Sequence, residues 1–582
     1  MAERIVSPGV FSREQDLSFI APAAQEAGTA FVGPTVKGPA FRPKVVTSFS
    51  EYKNIFGTTF KVAGEDKEYL TSIAVKNFFA QGGQSALITR ILDSATPAES
   101  SPIPGASSTV TIADIVSFKT LAEGADQNSG TATVGTNEKY LVDGTADNIR
   151  VEIADVDATT ATFTVLVRRG DDNDLQKTVL ETFAGVTLDP TSSNYIKRRI
   201  GDKEIRFDGT NYVESGAFNN VSNYIVVSGI DSTTATELAG GYFDQTGAFK
   251  NDSNGDSLAE YLPAETTTVG FVNGAGAASS TPELYHMIGA ASTTECQGVA
   301  VAGYTKALTT ILNNKEDYKF NVIAAPGLLY DTFPSQVNEM IALAENRGDC
   351  IAVVDLGKYS ASIADVVDDA KGLNSSFAAA YFPWVEVMTD YGQKAFVPAS
   401  TVIPGVFAFT DQVAAPWFAP AGLVRGGIPG VLRASKRLSR ADRDSLYRNK
   451  VNPIATFPGQ GIAVFGQKTL QTKASALDRV NVRRLLIELK EFLGNQGRNL
   501  VFEQNTIATR NRFLAAVNPY LESVVQRQGL YAYRVVMDDT NNTADVIDRN
   551  QLVGQIYIQP AKTAEFIVLD FVVEPTGASF GA

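Results

Sequence analysis

The chain has 582 residues, 44% hydrophobic and 20% charged, with a formal net charge of −14. One hydrophobic core stops growing well short of this length, so an α+β, multidomain protein of two to four domains is expected, and the composition excludes wholesale disorder. A single histidine, His286, and two distant cysteines, Cys296 and Cys350, exclude the common histidine-based acid–base and transition-metal sites. Both cysteines read as small buried hydrophobes in a reducing compartment.

Residues 1–22 form an extended opening. "SPGVFSREQDLS" places Pro8 and Gly9 before alternating apolar positions, with too little apolar surface to fold alone. It shows no apolar signal-peptide core, and no run of about 18 apolar residues follows anywhere, so a cytoplasmic origin without membrane insertion is expected. From residue 23 to 93 the pattern is compact. "TAFVGPTVKGP" reads as strand and turn, "SFSEYKNIFG" as a short capped helix ending at Gly57, and "YLTSIAVKNFFAQGG" as a helix stopped by Gly82-Gly83. "SALITRIL" then reads as a strand.

Residues 94–110 are rich in Ser, Ala and Pro and read as a linker. Short Val/Ile/Thr runs then suggest a β-rich inserted domain, so that 94–177 is bounded as one outer unit. Residues 178–300 are mixed, with a strand at "NYIVVSG" and a long polar loop at "DQTGAFKNDSNGDS"; they are grouped with 23–93 as a middle α/β domain. From 301 onward "KFNVIAAPG", "PSQVNEMIALAENRG" and "DCIAVVDLG" give strand, helix and strand, a right-handed crossover between parallel strands. "AAAYFPWVEVMTD" reads as a helix end leading into a strand. "RVNVRRLLIELKEFLG" carries a narrow apolar helical stripe at 482, 485, 486, 489 and 493, with Arg483, Arg484 and Lys490 on its other face. A longer helix over about 500–528 contains Asn518-Pro519 as a kink or break. "YAYRVVM", "QLVGQIYIQ" and "AEFIVLDFVV" are three strands. Residues 301–563 thus form a second, larger domain, and 564–582 a terminal strand.

Charge is unevenly spread. Residues 421–550 hold 20 Lys+Arg against 11 Asp+Glu, inside an otherwise acidic chain. Such a segment fits a specific acidic partner, while the overall charge disfavours direct nucleic-acid binding. The phosphate-loop pattern GxxxxGK[ST], the GxSxG elbow and the HExxH helix are all missing from the sequence. "FPGQGIAVFGQK" misses the dinucleotide-binding spacing and reads as a turn between strands. "DQTGAFKNDSNGDS" lacks the calcium-loop register. No catalytic, metal or cofactor residue is assigned.

Several strings resemble one family, the tail sheath proteins of contractile (myovirus-type) bacteriophages. They are "SPGVFSREQDLS", "TAFVGPTVKGPAFRPKVVTSFSEYKNIFG", "ETFAGVTLDPTSSNYIKRRIGD", "PWFAPAGLVRGGI", "NPIATFPGQGIAVFGQKTL", "LDRVNVRRLLIELKEFL" and the stretch from Asp538 to Phe571, in that order. They cover the first 90 residues, a block near 180–200 and most of 300–575. The resemblance implies an α/β C-terminal sheath core with β-rich inserted outer domains and extended N- and C-terminal arms. It also implies a structural subunit that polymerises as stacked six-fold rings around an inner tail tube, contracting to drive the tube through the host envelope. Its partners would be other copies of itself, the tail tube protein, and baseplate and tail terminator proteins. Its place would be the virion tail, assembled in the host cytoplasm. Arm strands would add to a neighbour's open sheet edge. Val10, Phe11, Leu17 and Phe19 are the N-terminal candidates; Phe566, Val568, Leu569, Phe571 and Val573 are the C-terminal ones. Arg483, Arg484 and Lys490 are the candidate tube-facing residues. The sheath of a phage-derived injection particle, such as an R-type bacteriocin, is the alternative within the same class; an α/β enzyme would need a catalytic constellation that the sequence lacks.

Overall fold

The computed structural model describes residues 26–62, 65–92, 95–105, 115–124, 149–170, 172–207, 212–272, 274, 276 and 282–565. Helix and strand occur in near-equal share, 30% and 31%, which settles the α+β class. The frame is an eight-stranded sheet in the order Lys44–Val46, Ala86–Arg90, Glu26–Gly33, Lys319–Leu329, Ile351–Asp355, Ala378–Phe382, Val451–Phe457, Gly461–Val464. The six inner strands are parallel, and an antiparallel strand closes each edge. Parallel strands must be covered on both faces, so they read as continuous apolar runs. Ile351–Asp355 and Ala378–Phe382 are buried at every position. The helices Leu70–Ala80 and Pro334–Arg347 pack on the central strands, and Ile403–Val413 packs on Leu70–Ala80.

Local chemistry sets several of these elements. Ser48 caps the helix Phe49–Phe56, its hydroxyl accepting from the Glu51 amide at 3.1 Å, and Gly57 ends it at φ 67°. Lys319–Leu329, Pro334–Arg347 and Ile351–Asp355 form the expected parallel crossover, and both cysteines are buried free thiols. The helix Ile507–Gln526 contains Pro519 in its interior, and the Tyr533 hydroxyl donates to the Asn518 carbonyl at 3.1 Å. The glycine-rich "FPGQG" is the turn of the hairpin Val451–Phe457/Gly461–Val464.

Three sequence expectations are corrected. Ala378–Ala380 are strand, not helix end: burial between Ile351–Asp355 and Val451–Phe457 overrides the helical preference of alanine. The segment 23–93 is not part of a separate middle domain with 178–300. Its strand Glu26–Gly33 lies hydrogen-bonded between Ala86–Arg90 and Lys319–Leu329, inside the frame of the domain expected to begin at 301. The outer domain does not stop at 177. It contains two four-stranded sheets whose closing strands, Thr268–Val269 and Phe271–Val272, come from far down the chain. One hydrophobic cluster runs through it from Ala98 to Phe271. Pro97–Ser100, expected as linker, is one of its strands.

The outer domain holds a buried ionic centre. Arg168 is fully buried and donates to Asp172 through Nε and Nη2 (2.8 and 2.9 Å), and to Glu152 and Asp174 through Nη1 (2.7 and 3.0 Å). Lys177 reaches the other Glu152 oxygen at 2.5 Å. The domain joins the frame at a neck. There Arg90 Nη1 donates to the carbonyls of Gly38 and Glu123 (2.5 and 2.6 Å), and Arg42 pairs with Glu123 at 3.2 Å. Replacing Arg168 with alanine leaves buried Asp172 paired to Arg150 alone and buried Glu152 paired to Lys177 alone, and is expected to cost up to about 3–5 kcal/mol. Chemical denaturation followed by circular dichroism measures this; an unchanged midpoint would contradict it.

Candidate assembly surfaces

The C-terminal part of the chain builds a second, smaller cluster on the frame. Leu485 and Leu489 from the helix Val480–Arg498, Val517, Leu521 and Val524 from Ile507–Gln526, and Leu530 enclose Trp417. The Trp417 indole donates to the Arg527 carbonyl at 3.0 Å, Asn481 donates to the Trp417 carbonyl at 3.2 Å, and the Arg527 guanidinium stacks on the ring at 4.8 Å. The "PWFAPAGLVRGGI" string therefore includes the pin between frame and C-terminal unit.

On this unit Leu530–Val536 and Gln555–Pro560 pair as an antiparallel two-stranded ribbon. Neither strand has a second partner among the described residues. Its outer face shows Tyr531 and Tyr557, 66% and 57% exposed. Two open edges leave two rows of backbone groups available for added strands. The chain then runs to Glu565, whose carboxylate is held by four donors: Arg479 Nε and Nη2 (2.7 and 3.0 Å), the Tyr447 hydroxyl (2.8 Å) and Gln467 Nε2 (3.1 Å). Burial pushes this carboxyl up, but the hydrogen bonds from Arg479, Tyr447 and Gln467 outweigh it and leave it below the usual glutamate value. No local pattern marks this clamp, because its members lie 86 to 118 residues from Glu565. The arm residues Val10, Phe11, Leu17 and Phe19, and Phe566, Val568, Leu569, Phe571 and Val573, lie outside the described residues.

The three candidate tube-facing residues part company. Arg483 and Arg484 are each 4% exposed, so they are not on an outer face. Arg483 donates through Nε to the Ser376 carbonyl at 3.2 Å and lies 3.8 Å over the Phe377 ring; burial lowers its pKa to about 10. Arg484 pairs with Asp411 and lies over Phe407 at 4.7 Å. The physical reason is that the first half of this helix is wedged between frame and C-terminal cluster and is buried all round. Lys490, past the wedge, is exposed. It lines a cleft of about 630 Å³ with Lys315 and Arg498, beside the N-terminal ends of Glu26–Gly33 and Lys319–Leu329. None of these three cations forms an ion pair among the described residues; of the cleft carboxylates Asp349, Asp411 and Glu491, the first two are paired with Arg347 and Arg484. No group of three or more His, Cys, Asp or Glu is placed to hold a metal, and no helix is long and apolar enough to cross a membrane, among the described residues.

Residues 297–470 match the phage tail sheath protein central domain, and residues 472–574 match the phage tail sheath C-terminal domain. These two domains carry the likeness of the chain to the tail sheath proteins of contractile phages, which are structural proteins and not enzymes. It is 45% identical over 185 residues to the tail sheath protein of Vibrio phage KVP40, covering 32% of this chain and 28% of that protein. It is 33% identical over 268 residues to the tail sheath protein of Enterobacteria phage T4, covering 43% and 41%. The tail sheath protein of Salmonella phage ViI is 32% identical over 274 residues, covering 46% and 43%. The alignments thus span less than half of each relative. The same fold appears in the crystal structure of a sheath tail protein from Listeria innocua (TM-score 0.51, 11% identity, 92% of this chain and 96% of that one). It appears also in a chain from the contracted baseplate of the anti-feeding prophage (TM-score 0.51, 13% identity, 98% and 99%).

Two predictions test the geometry. Arg484→Ala, which breaks a charge-assisted bond, should cost about 1–3 kcal/mol in thermal or chemical unfolding, while Lys490→Glu at an exposed position should stay within about 0.5 kcal/mol of the parent. The folded Glu565 carboxyl sits below its unfolded value of about 4.3, so its contribution is present above that pH and is lost as pH falls through the folded value. Acid unfolding monitored by Trp417 fluorescence should show this loss, and Glu565→Gln should remove that part of the pH dependence.

Proposed function

We propose that the chain is the repeating subunit of a contractile tail sheath. It stacks as six-fold rings around an inner tail tube and shortens to drive that tube through the host envelope during genome delivery. The observation that carries this reading is the two-stranded ribbon with both edges open, set beside the clamped point from which residues 566–582 continue. In the proposal, a strand from Val10–Phe19 of one neighbour and a strand from Phe566–Val573 of another complete the ribbon. Each added backbone hydrogen bond contributes about 0.5–1.5 kcal/mol net, and a strand supplies several, so the link holds through rigid-body movement of the subunits. A free-energy difference of about 1–3 kcal/mol per subunit between extended and shortened packings would be multiplied along the polymer, with no nucleotide required.

The basic cleft around Lys490, Lys315 and Arg498 is the proposed contact to an acidic tube surface. Exposed ion pairs are worth about 0–1 kcal/mol each, enough in number to hold the extended form and weak enough singly to release in sequence. Baseplate and terminator proteins are the proposed partners at the polymer ends. The virion tail is the proposed location, with assembly in the host cytoplasm. The phage relatives favour this reading over the sheath of a phage-derived injection particle.

Electron microscopy of the purified chain across a concentration series is expected to show helically striated hollow cylinders. Deleting residues 566–582 should leave folded monomers; long polymers from that deletion would reject the arm model. Lys490→Glu combined with Arg498→Glu should abolish decoration of co-expressed tubes while tube-free polymers persist.

A further inference from the structure

A groove of about 1040 Å³ lies between the ribbon and the hairpin Val451–Phe457/Gly461–Val464. Its walls carry Trp417, Phe465 and Tyr531, with Phe465 and Tyr531 46% and 66% exposed. Arg425, Arg440 and Arg443 also line it, and none of them forms an ion pair among the described residues. Arg443 lies 5.4 Å from the Phe457 ring and 5.7 Å from the Phe465 ring, and Arg425 lies 5.1 Å from the Phe418 ring, so these guanidinium groups sit within cation–π range of aromatic rings. Lys562 adds a fourth cation, and of the two carboxylates in the wall, Asp444 and Glu565, the second is already held by Arg479. An aromatic floor with surplus fixed positive charge selects an apolar segment that carries carboxylates.

Such a segment begins in the groove itself. Ala561 to Glu565 form part of its wall, and Glu565 is clamped there by Arg479, Tyr447 and Gln467. The next residues, Phe566 to Glu574, are apolar except for Asp570 and Glu574, and residues 566–582 contain no Lys or Arg. We infer that in the unassembled subunit the segment Phe566–Glu574 lies in this groove of its own chain. Asp570 and Glu574 meet the groove arginines, and the apolar side chains cover the exposed aromatic residues. The same residues that would join a neighbour are thereby withheld from premature pairing, and polymerisation exchanges an intramolecular seat for an intermolecular one. The consequence for assembly rests on the arm-exchange reading proposed above; the seat itself does not.

Hydrogen–deuterium exchange on the full-length chain, held at a concentration where it sediments as a monomer, reads the seat directly. Amides of residues 567–574 are expected to exchange at least about tenfold more slowly in the parent than in Arg440→Glu/Arg443→Glu. Exchange in the buried strand Ile351–Asp355 should be unaltered, which establishes that the variant is folded. The double variant should also polymerise with a shorter lag. Adding Asp570→Lys and Glu574→Lys reverses both sides of the charge pairing and should restore protection; failure to restore it would overturn the pairing. Equal, fast exchange of 567–574 in parent and variant monomers would overturn the seat. Protection found only in the polymer fraction would assign the groove to another copy's segment and would also overturn it. Protection in a monomer that never polymerises would leave the seat standing and remove the sheath reading.

Discussion

The structure depends on one strand. Glu26–Gly33 lies between Ala86–Arg90 and Lys319–Leu329, bonded to both in parallel register. Parallel pairing between segments nearly 300 residues apart requires that everything between them fold as excursions from the sheet and return to it. Parallel strands also demand cover on both faces, which fixes the helices Leu70–Ala80 and Pro334–Arg347 against the centre. The frame therefore unites the beginning of the described chain with its middle, and leaves the C-terminal unit as the part whose edges stay open. That division agrees with the proposal that neighbours connect by strands added to the ribbon.

What was legible in the sequence follows from range. Lys319–Leu329, Pro334–Arg347 and Ile351–Asp355 were readable because buried parallel strands are continuous apolar runs and the intervening helix has its own period. The cap at Ser48 and the stop at Gly57 were readable for the same local reason. Misreadings arose where distant packing decides. Arg483 and Arg484 occupy polar positions of an amphipathic helix, yet the helix enters a wedge where Phe377 and Phe407 await their guanidinium groups. A hydrophobic stripe describes one face and says nothing of what meets the other. The outer domain's true extent was hidden because its closing strands are only two residues long, too short for any alternation to register.

The candidate surfaces divide in the same way. That two of the late segments are strands was legible, their pairing as a ribbon was not, and the match to two tail sheath domains agrees with the strings that suggested the family. The Glu565 clamp was invisible, since Tyr447, Gln467 and Arg479 converge on it only through the fold. The basic excess of residues 421–550 was real but heterogeneous. Some of its cations, such as Arg479 and Arg484, are spent on internal pairs. Others, such as Lys490 and Arg443, face open clefts without a carboxylate partner among the described residues. Net charge over a segment counts both kinds alike.

The neck at Arg90 has a mechanical meaning. The outer domain is tied to the frame where Gly38, Arg42, Arg90 and Glu123 meet, and its core is separate from the frame's core. A force applied to the inserted domain thus reaches the eight-stranded sheet through this hydrogen-bonded junction and through Phe207 and Tyr212, which pack against the frame's core. Swapping or enlarging that domain would leave the order and register of the eight-stranded sheet unchanged, because none of its strands belongs to that sheet.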